Sequence, residues 1–180
     1  MEGRVVWLTG LPGSGKSMVA KALARELDKR SVKVQILSAD LLRKTLTPKP
    51  KYTEEERELV YGTLVLIAKL LSRNNVNVII DATGNRRSYR DKARKEISDF
   101  HEVYVKCPLK ICIQRETKRE ETLGAPKDIY AKAFTTKSKT VPGVGVPYEE
   151  PTNPEVIVAT DKLNPETCAK KIFGDLFTNY

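Results

Sequence analysis

The chain has 180 residues, 40% of them hydrophobic and 31% charged, and a formal net charge of +9. It is long enough for one domain with its own core, and it has no 20-residue apolar run to span a bilayer. Its basic excess fits anionic partners, either nucleic acid or a phosphorylated or sulfated small molecule, and we expect no membrane partner.

The N-terminus enters a strand pattern at once, without the apolar core of a signal peptide, so a cytoplasmic location is expected. Residues 4–9, RVVWLT, read as a buried strand, and 16–29 place Val19, Ala20, Leu23 and Leu27 at helical spacing. A second strand over 32–40 ends on Asp40 and runs into a short helix, LLRKTL. After the loop around Pro48 and Pro50, a long helix opens on a capping box of Thr53 and Glu56. A third strand, 76–81, ends on Asp81, with a helix from SYRDKARKEISDF behind it. A fourth strand at 101–107 precedes the helix LKICIQRETKRE. Residues 123–154 are dense in Gly, Pro, Thr and Lys and read as a functional loop. A fifth strand, 155–160, and a helix starting at Asn164 with Pro165 in its first turn close the chain.

Alternating buried strands and helices predict an α/β fold: a three-layer α/β/α sandwich around a five-stranded parallel sheet, in a single domain over 1–180. A mobile substrate loop or lid is expected at about 115–154. Ligands of such sheets gather at the carboxyl ends of the strands, where Gly10, Asp40 and Asp81 all fall. Cys107, Cys112 and Cys168 form no C-x-x-C pair, and His101 is the only histidine. Reduced core thiols are therefore expected, with no zinc site and no histidine-activated nucleophile.

GLPGSGKS, between a strand and a helix, matches the phosphate-binding loop G-x-x-x-x-G-K-[ST] and makes the fold a P-loop NTPase. Gly10, Leu11, Pro12, Gly13, Ser14 and Gly15 turn backbone N–H groups toward the phosphates of ATP. Lys16 reaches the β and γ oxygens, and Ser17 ligates Mg2+. No N-K-x-D guanine signature is present, and the length leaves no room for the added domains of motor ATPases. A small kinase is the expected class.

On the acceptor side, Asp40 is the expected base, its carboxylate taking the proton of an acceptor hydroxyl, unless it only caps the following helix. Arg43, one turn on, is placed to clamp an anionic group of the acceptor. Asp81 is the expected metal carboxylate, followed by Asn85, Arg86 and Arg87. Arg115, Lys118 and Arg119 supply cations over the transferring group, Arg115 as an ATP contact.

VVWLTGLPGSGKS, SAD with Arg43, AKLL and above all VPGVGVPYEEPTNPEVIVAT together resemble the adenylylsulfate kinases, nearly end to end. The last stretch is similar to that family's substrate loop, with Gly143, Pro147, Tyr148, Glu149, Pro151, Asn153, Pro154 and Glu155 kept. The resemblance implies transfer from ATP to the 3′-hydroxyl of adenylyl sulfate. It also implies acceptor contacts at Tyr52, Arg57, Arg87, Lys139 and Gly143. Val60, Gly62 and Thr63 stand where the family has an Asn and two Arg, Val141 where it has an aromatic, and Gly84 lies in TGNRR, which replaces I-S-P-Y-R. DATGNRR instead looks like P-loop kinases of polynucleotides and tRNA. The alternatives are therefore a kinase of an RNA or nucleoside hydroxyl or a small alcohol, and a non-catalytic ATP-binding module. Adenylyl sulfate ranks ahead of nucleic acid, and a homodimer is left open.

Overall fold

The computed structural model describes residues 2–118, 129–135 and 140–178. Five strands, β1 (Val5–Thr9), β2 (Val34–Ser38), β3 (Asn77–Asp81), β4 (Phe100–Lys106) and β5 (Val156–Ala159), form one parallel sheet in the order β2-β3-β1-β4-β5. Chain order reverses at β1, so the crevice at its carboxyl end is the topological switch point where such sheets bind ligands.

All of β1 is buried, and its side chains alternate between two cores. Val6 and Leu8 pack under α1 (Lys16–Asp28) and α7 (Pro165–Leu176), against Leu23, Leu27 and Ile172. Val5 and Trp7 face α3 (Glu54–Arg73) and α4 (Arg87–Glu96), meeting Val60, Leu64 and Ala93. A smaller cluster gathers Cys107, Cys112, Tyr130 and Val141 around α5 (Leu109–Thr117) and α6 (Ile129–Thr135). Cys107, Cys112 and Cys168 are free and buried, as expected. No helix among the described residues is long and apolar enough to cross a membrane.

Two local expectations are corrected. The second strand stops at Ser38 and α2 (Ala39–Leu46) starts at once, so Asp40 lies in the first turn of a helix rather than at a strand end. Asp40 is not the cap: the Ser38 hydroxyl accepts from Leu41 N at 3.4 Å, and Asp40 adds a carboxylate where the helix dipole favours one. The span read as loop also contains α6, too short for its periodicity to stand out among Gly, Pro and Lys. In the capping box of α3, Thr53 accepts from Glu56 N, but the Glu56 carboxylate reaches past Thr53 to the N–H groups of Lys51 and Tyr52.

Candidate active site

Strand register brings the site together. Asp81 pairs with Leu8 on one side and Ser38 on the other, so β1, β2 and β3 end level. The loop after Thr9, Asp40 after Ser38 and Asp81 itself therefore face one crevice. Gly13 and Gly15 hold φ of 78° and 94°, and a Cβ on Gly13 would stand 2.5 Å from the Cys112 carbonyl oxygen. Gly15 is the N-cap of α1 and no side chain caps that end, which leaves its amides and positive dipole to an anion. Lys16 is buried, and its Nζ donates to the carbonyls of Gly10 and Leu11, each at 3.0 Å.

Ser17 stands beside the Asp81 carboxylate. Burial holds the Asp81 carboxyl above its ordinary value, and the Asp40 charge pushes the same way; Lys16 and the Ser17 hydrogen bond pull against them. Arg115 lies on the other side of the loop. It donates to the Thr160 hydroxyl at 3.2 Å and to the Thr160 carbonyl at 2.6 Å, and its Nη1 comes within 3.9 Å of where a Gly15 Cβ would be. Thr160 Oγ1 in turn donates to the Ser14 carbonyl at 2.7 Å, tying the end of β5 to the phosphate loop.

Arg43 is 7% exposed, and its Nη1 has no hydrogen-bond partner. Its guanidinium lies 4.9 Å from the centre of the Tyr52 ring. Tyr52 has φ of 58°, a conformation that costs a non-glycine residue energy and that recurs at ligand sites. Burial raises the Tyr52 phenol above its usual range, with Arg43, Asp40, Arg57 and Glu56 as its charged neighbours. Arg57 is a joint between walls: Nε donates to Tyr52 O, Nη1 to Asn85 Oδ1 at 3.2 Å, and Nη2 to Thr140 O at 2.7 Å.

Residues 140–154 are fastened to both walls. Gly143 packs against the phosphate loop, where a Cβ would stand 2.7 Å from Leu11 Cδ2. Tyr148 Oη shares a hydrogen bond with Thr9 Oγ1 at 3.0 Å, and Glu149 N donates to Asn85 O at 2.8 Å. Asn85, 3% exposed, also donates to Pro147 O. Behind them Arg90, 1% exposed, donates to the carbonyls of Gly84 and Glu149 and pairs through Nε with Glu102 at 2.5 Å. Arg94 links Glu102 to Glu155, whose Oε2 also accepts from Glu102 N at 2.6 Å.

Of the expected acceptor residues, Asp40, Arg43, Tyr52 and Arg57 come together. Arg87 turns instead to the surface, its N–H on Glu149 Oε2 and its Nη1 on Glu150 O. Arg119 and Lys139 lie outside the described residues. The departures from the family pattern also find places. Val60 is fully buried in the core under Trp7, Gly62 faces open space on the outer side of α3, and Val141 is buried beside Leu11 and Tyr130. Gly84, at φ of 51°, lies so close on Trp7 that a Cβ would stand 2.9 Å from its ring. Arg90, Glu102, Thr160 and the joint at Asn85 were missed. They are polar groups whose partners are distant in sequence, and the one available signal was an arginine in RSYRDKAR falling on the buried face.

The chain matches the adenylylsulphate kinase family model over residues 2–159. It is 40% identical to a probable adenylyl-sulfate kinase of Pyrococcus abyssi, covering 96% of this chain and 94% of that one. It is 34% identical to an adenylyl-sulfate kinase of Rippkaea orientalis over 97% of this chain and 92% of the relative. Among solved structures, it superposes on Mycobacterium tuberculosis APS kinase CysC in complex with AMPPNP and APS with a TM-score of 0.85. That match has 30% identity and covers 97% of this chain and 98% of the other.

Proposed function

The chain belongs to the adenylylsulphate kinase family, and from that premise we infer that it transfers the γ-phosphoryl group of ATP to the 3′-hydroxyl of adenylyl sulfate. The products are ADP and 3′-phosphoadenylyl sulfate, an activated sulfate. The observation that carries the acceptor assignment is the buried Arg43 guanidinium, whose unpartnered Nη1 lies on the same short helix as Asp40. A buried cation with an unmet donor is costly unless a ligand completes it, and a phosphate–sulfate group supplies the anion.

In the proposed reaction, Lys16 exchanges its loop carbonyls for the β and γ oxygens of ATP, while the open N-terminus of α1 holds the phosphates. Asp40 accepts the 3′-hydroxyl proton as that oxygen attacks the γ-phosphorus and the bond to the bridging β–γ oxygen breaks. Arg43 binds the phosphate–sulfate group, and Tyr52 offers its ring to the adenine. Arg57 holds Tyr52, Asn85 and the Thr140 backbone in register as a positioning residue. Arg115 closes the ATP side next to Gly15. Arg87, Lys139 and Gly143 remain proposed acceptor-side residues, with Gly143 acting through the close fit of the substrate loop on Leu11.

Ser17 and Asp81 would hold Mg2+. Their paired hydroxyl and carboxylate are hard oxygen donors, and the described residues contain no cluster of three His, Cys, Asp or Glu side chains. That sparse donor set suits an ion that keeps waters and phosphate oxygens as its other ligands. The ion neutralises charge on the β and γ oxygens when ATP is bound. The experiment is a coupled assay of ADP release with adenylyl sulfate, adenosine, 5′-hydroxyl RNA and a polyol as rival acceptors. Turnover confined to adenylyl sulfate is expected, and turnover of another acceptor without it refutes the assignment.

A further inference from the structure

We propose that Asn85 sets the charge of the acceptor wall: it holds the buried Arg57 guanidinium in place without cancelling it, so that Arg43 and Arg57 present two uncompensated positive charges to the acceptor. The proposal rests on the assignment of adenylyl sulfate above, whose phosphate and sulfate each bring one negative charge.

The arginines of the site fall into two sets. Behind the crevice, Arg90 pairs with Glu102 at 2.5 Å, and Arg94 pairs with both Glu102 and Glu155. On the acceptor side, Arg43 and Arg57 are 7% and 5% exposed, and neither forms an ion pair with a described carboxylate. Arg57 is met instead by three neutral oxygens, Tyr52 O at 3.2 Å, Asn85 Oδ1 at 3.2 Å and Thr140 O at 2.7 Å. Asn85 is the one side chain among these partners. The nearby Glu56 carboxylate is taken up by the N–H groups of Lys51 and Tyr52. Neutral oxygens orient a buried cation but leave its charge for an incoming anion.

Both guanidinium groups border one ring: Arg43 lies 4.9 Å and Arg57 6.0 Å from the centre of Tyr52. They also act on the same neighbours, since Arg43 and Arg57 pull the phenols of Tyr52 and Tyr61 down while Asp40 pushes both up. Arg43, Arg57 and Asp40 therefore share one field, in a buried site where an uncancelled charge carries over several ångströms.

The choice of an amide at position 85 follows from its two ends. Asn85 Oδ1 accepts from Arg57, and Nδ2 donates to Pro147 O at 3.3 Å. Its backbone carbonyl accepts from Glu149 N at 2.8 Å, so the residue is fixed on both sides. An aspartate would cancel Arg57 at one end and set a second oxygen against Pro147 O at the other. Asn85 lies in TGNRR, the stretch that departs from the family pattern.

Steady-state kinetics of two variants in the full chain test this. Asn85→Ala removes the amide without adding a charge, and it should raise KM for adenylyl sulfate about threefold. Asn85→Asp should raise it about 30-fold or more, the tenfold difference being the effect of one unit charge on the bound anion. Both should keep kcat and KM for ATP within about threefold, because Asp40 and the phosphate loop are untouched. Asn85→Ser, also uncharged, should behave as Asn85→Ala and replaces it if that variant does not fold. A KM for adenylyl sulfate no higher in Asn85→Asp than in the uncharged variants overturns the proposal, as does a KM for ATP that rises in step. A parent chain that does not use adenylyl sulfate overturns the acceptor assignment, and the proposal with it.

Discussion

Arg43 and Asp40 lie three residues apart in the first two turns of α2, one a buried cation with an unmet donor and the other a carboxylate beside the phosphate loop. The relationship separates two roles that activity alone would merge. Arg43→Gln should raise KM for adenylyl sulfate about 10- to 100-fold, the weight of a charge-assisted hydrogen bond of about 1.5–3 kcal/mol. KM for ATP should stay within about twofold, and steady-state kinetics with each substrate varied in turn checks both.

Asp40→Asn keeps the shape and removes the proton acceptor. It should lower kcat by about two to four orders of magnitude and leave ATP affinity nearly unchanged. Calorimetric titration of ATP alongside turnover distinguishes this from loss of the site, since a collapse of nucleotide binding would assign Asp40 a structural role.

The Arg90–Glu102 pair is buried on both sides, at 1% and 8% side-chain exposure. Removing one partner, as in Glu102→Leu, should destabilise the fold by about 3–5 kcal/mol because Arg90 is left charged and unpaired. Arg90→Met with Glu102→Leu should recover most of that loss in denaturant titration. Activity should stay low in the double variant, since Arg90 also holds the carbonyls of Gly84 and Glu149, which tie residues 140–154 to the crevice.

Asp81 titrates above its ordinary value in the folded chain, chiefly through burial. A raised carboxyl favours the folded state below the unfolded value of 3.8, and that contribution is lost as pH rises through the folded value. Without nucleotide, Asp81→Asn should therefore melt above the parent chain at pH 7, and the gap should close as pH falls below 3.8. Thermal melts across pH check this, and a variant less stable at pH 7 would contradict it.

What the sequence made legible was local. The phosphate loop, the order of strands and helices, and the position of Asp81 follow from contiguous patterns, and the level strand ends place them together. The helix after the second strand starts two residues earlier than its pattern indicates, because Ser38 and Asp40 are both competent caps and only backbone geometry separates them. Helix α6 offered seven residues, too few for a period. Nothing local marks Arg90 as buried, because RSYRDKARKE is strongly charged and its partner Glu102 is on another element. Gly62 and Val60 stand where the family has an Arg and an Asn, and their directions follow only from the helix faces. One points outward and the other into the core.

The most direct test of the central claim is transfer of label from γ-labelled ATP in the presence of adenylyl sulfate and Mg2+, followed by isolation of the product. Label is expected on the 3′-oxygen of adenylyl sulfate and is expected to be lost in Asp40→Asn. Absence of labelled 3′-phosphoadenylyl sulfate, or labelling unaffected by Asp40→Asn, would contradict it.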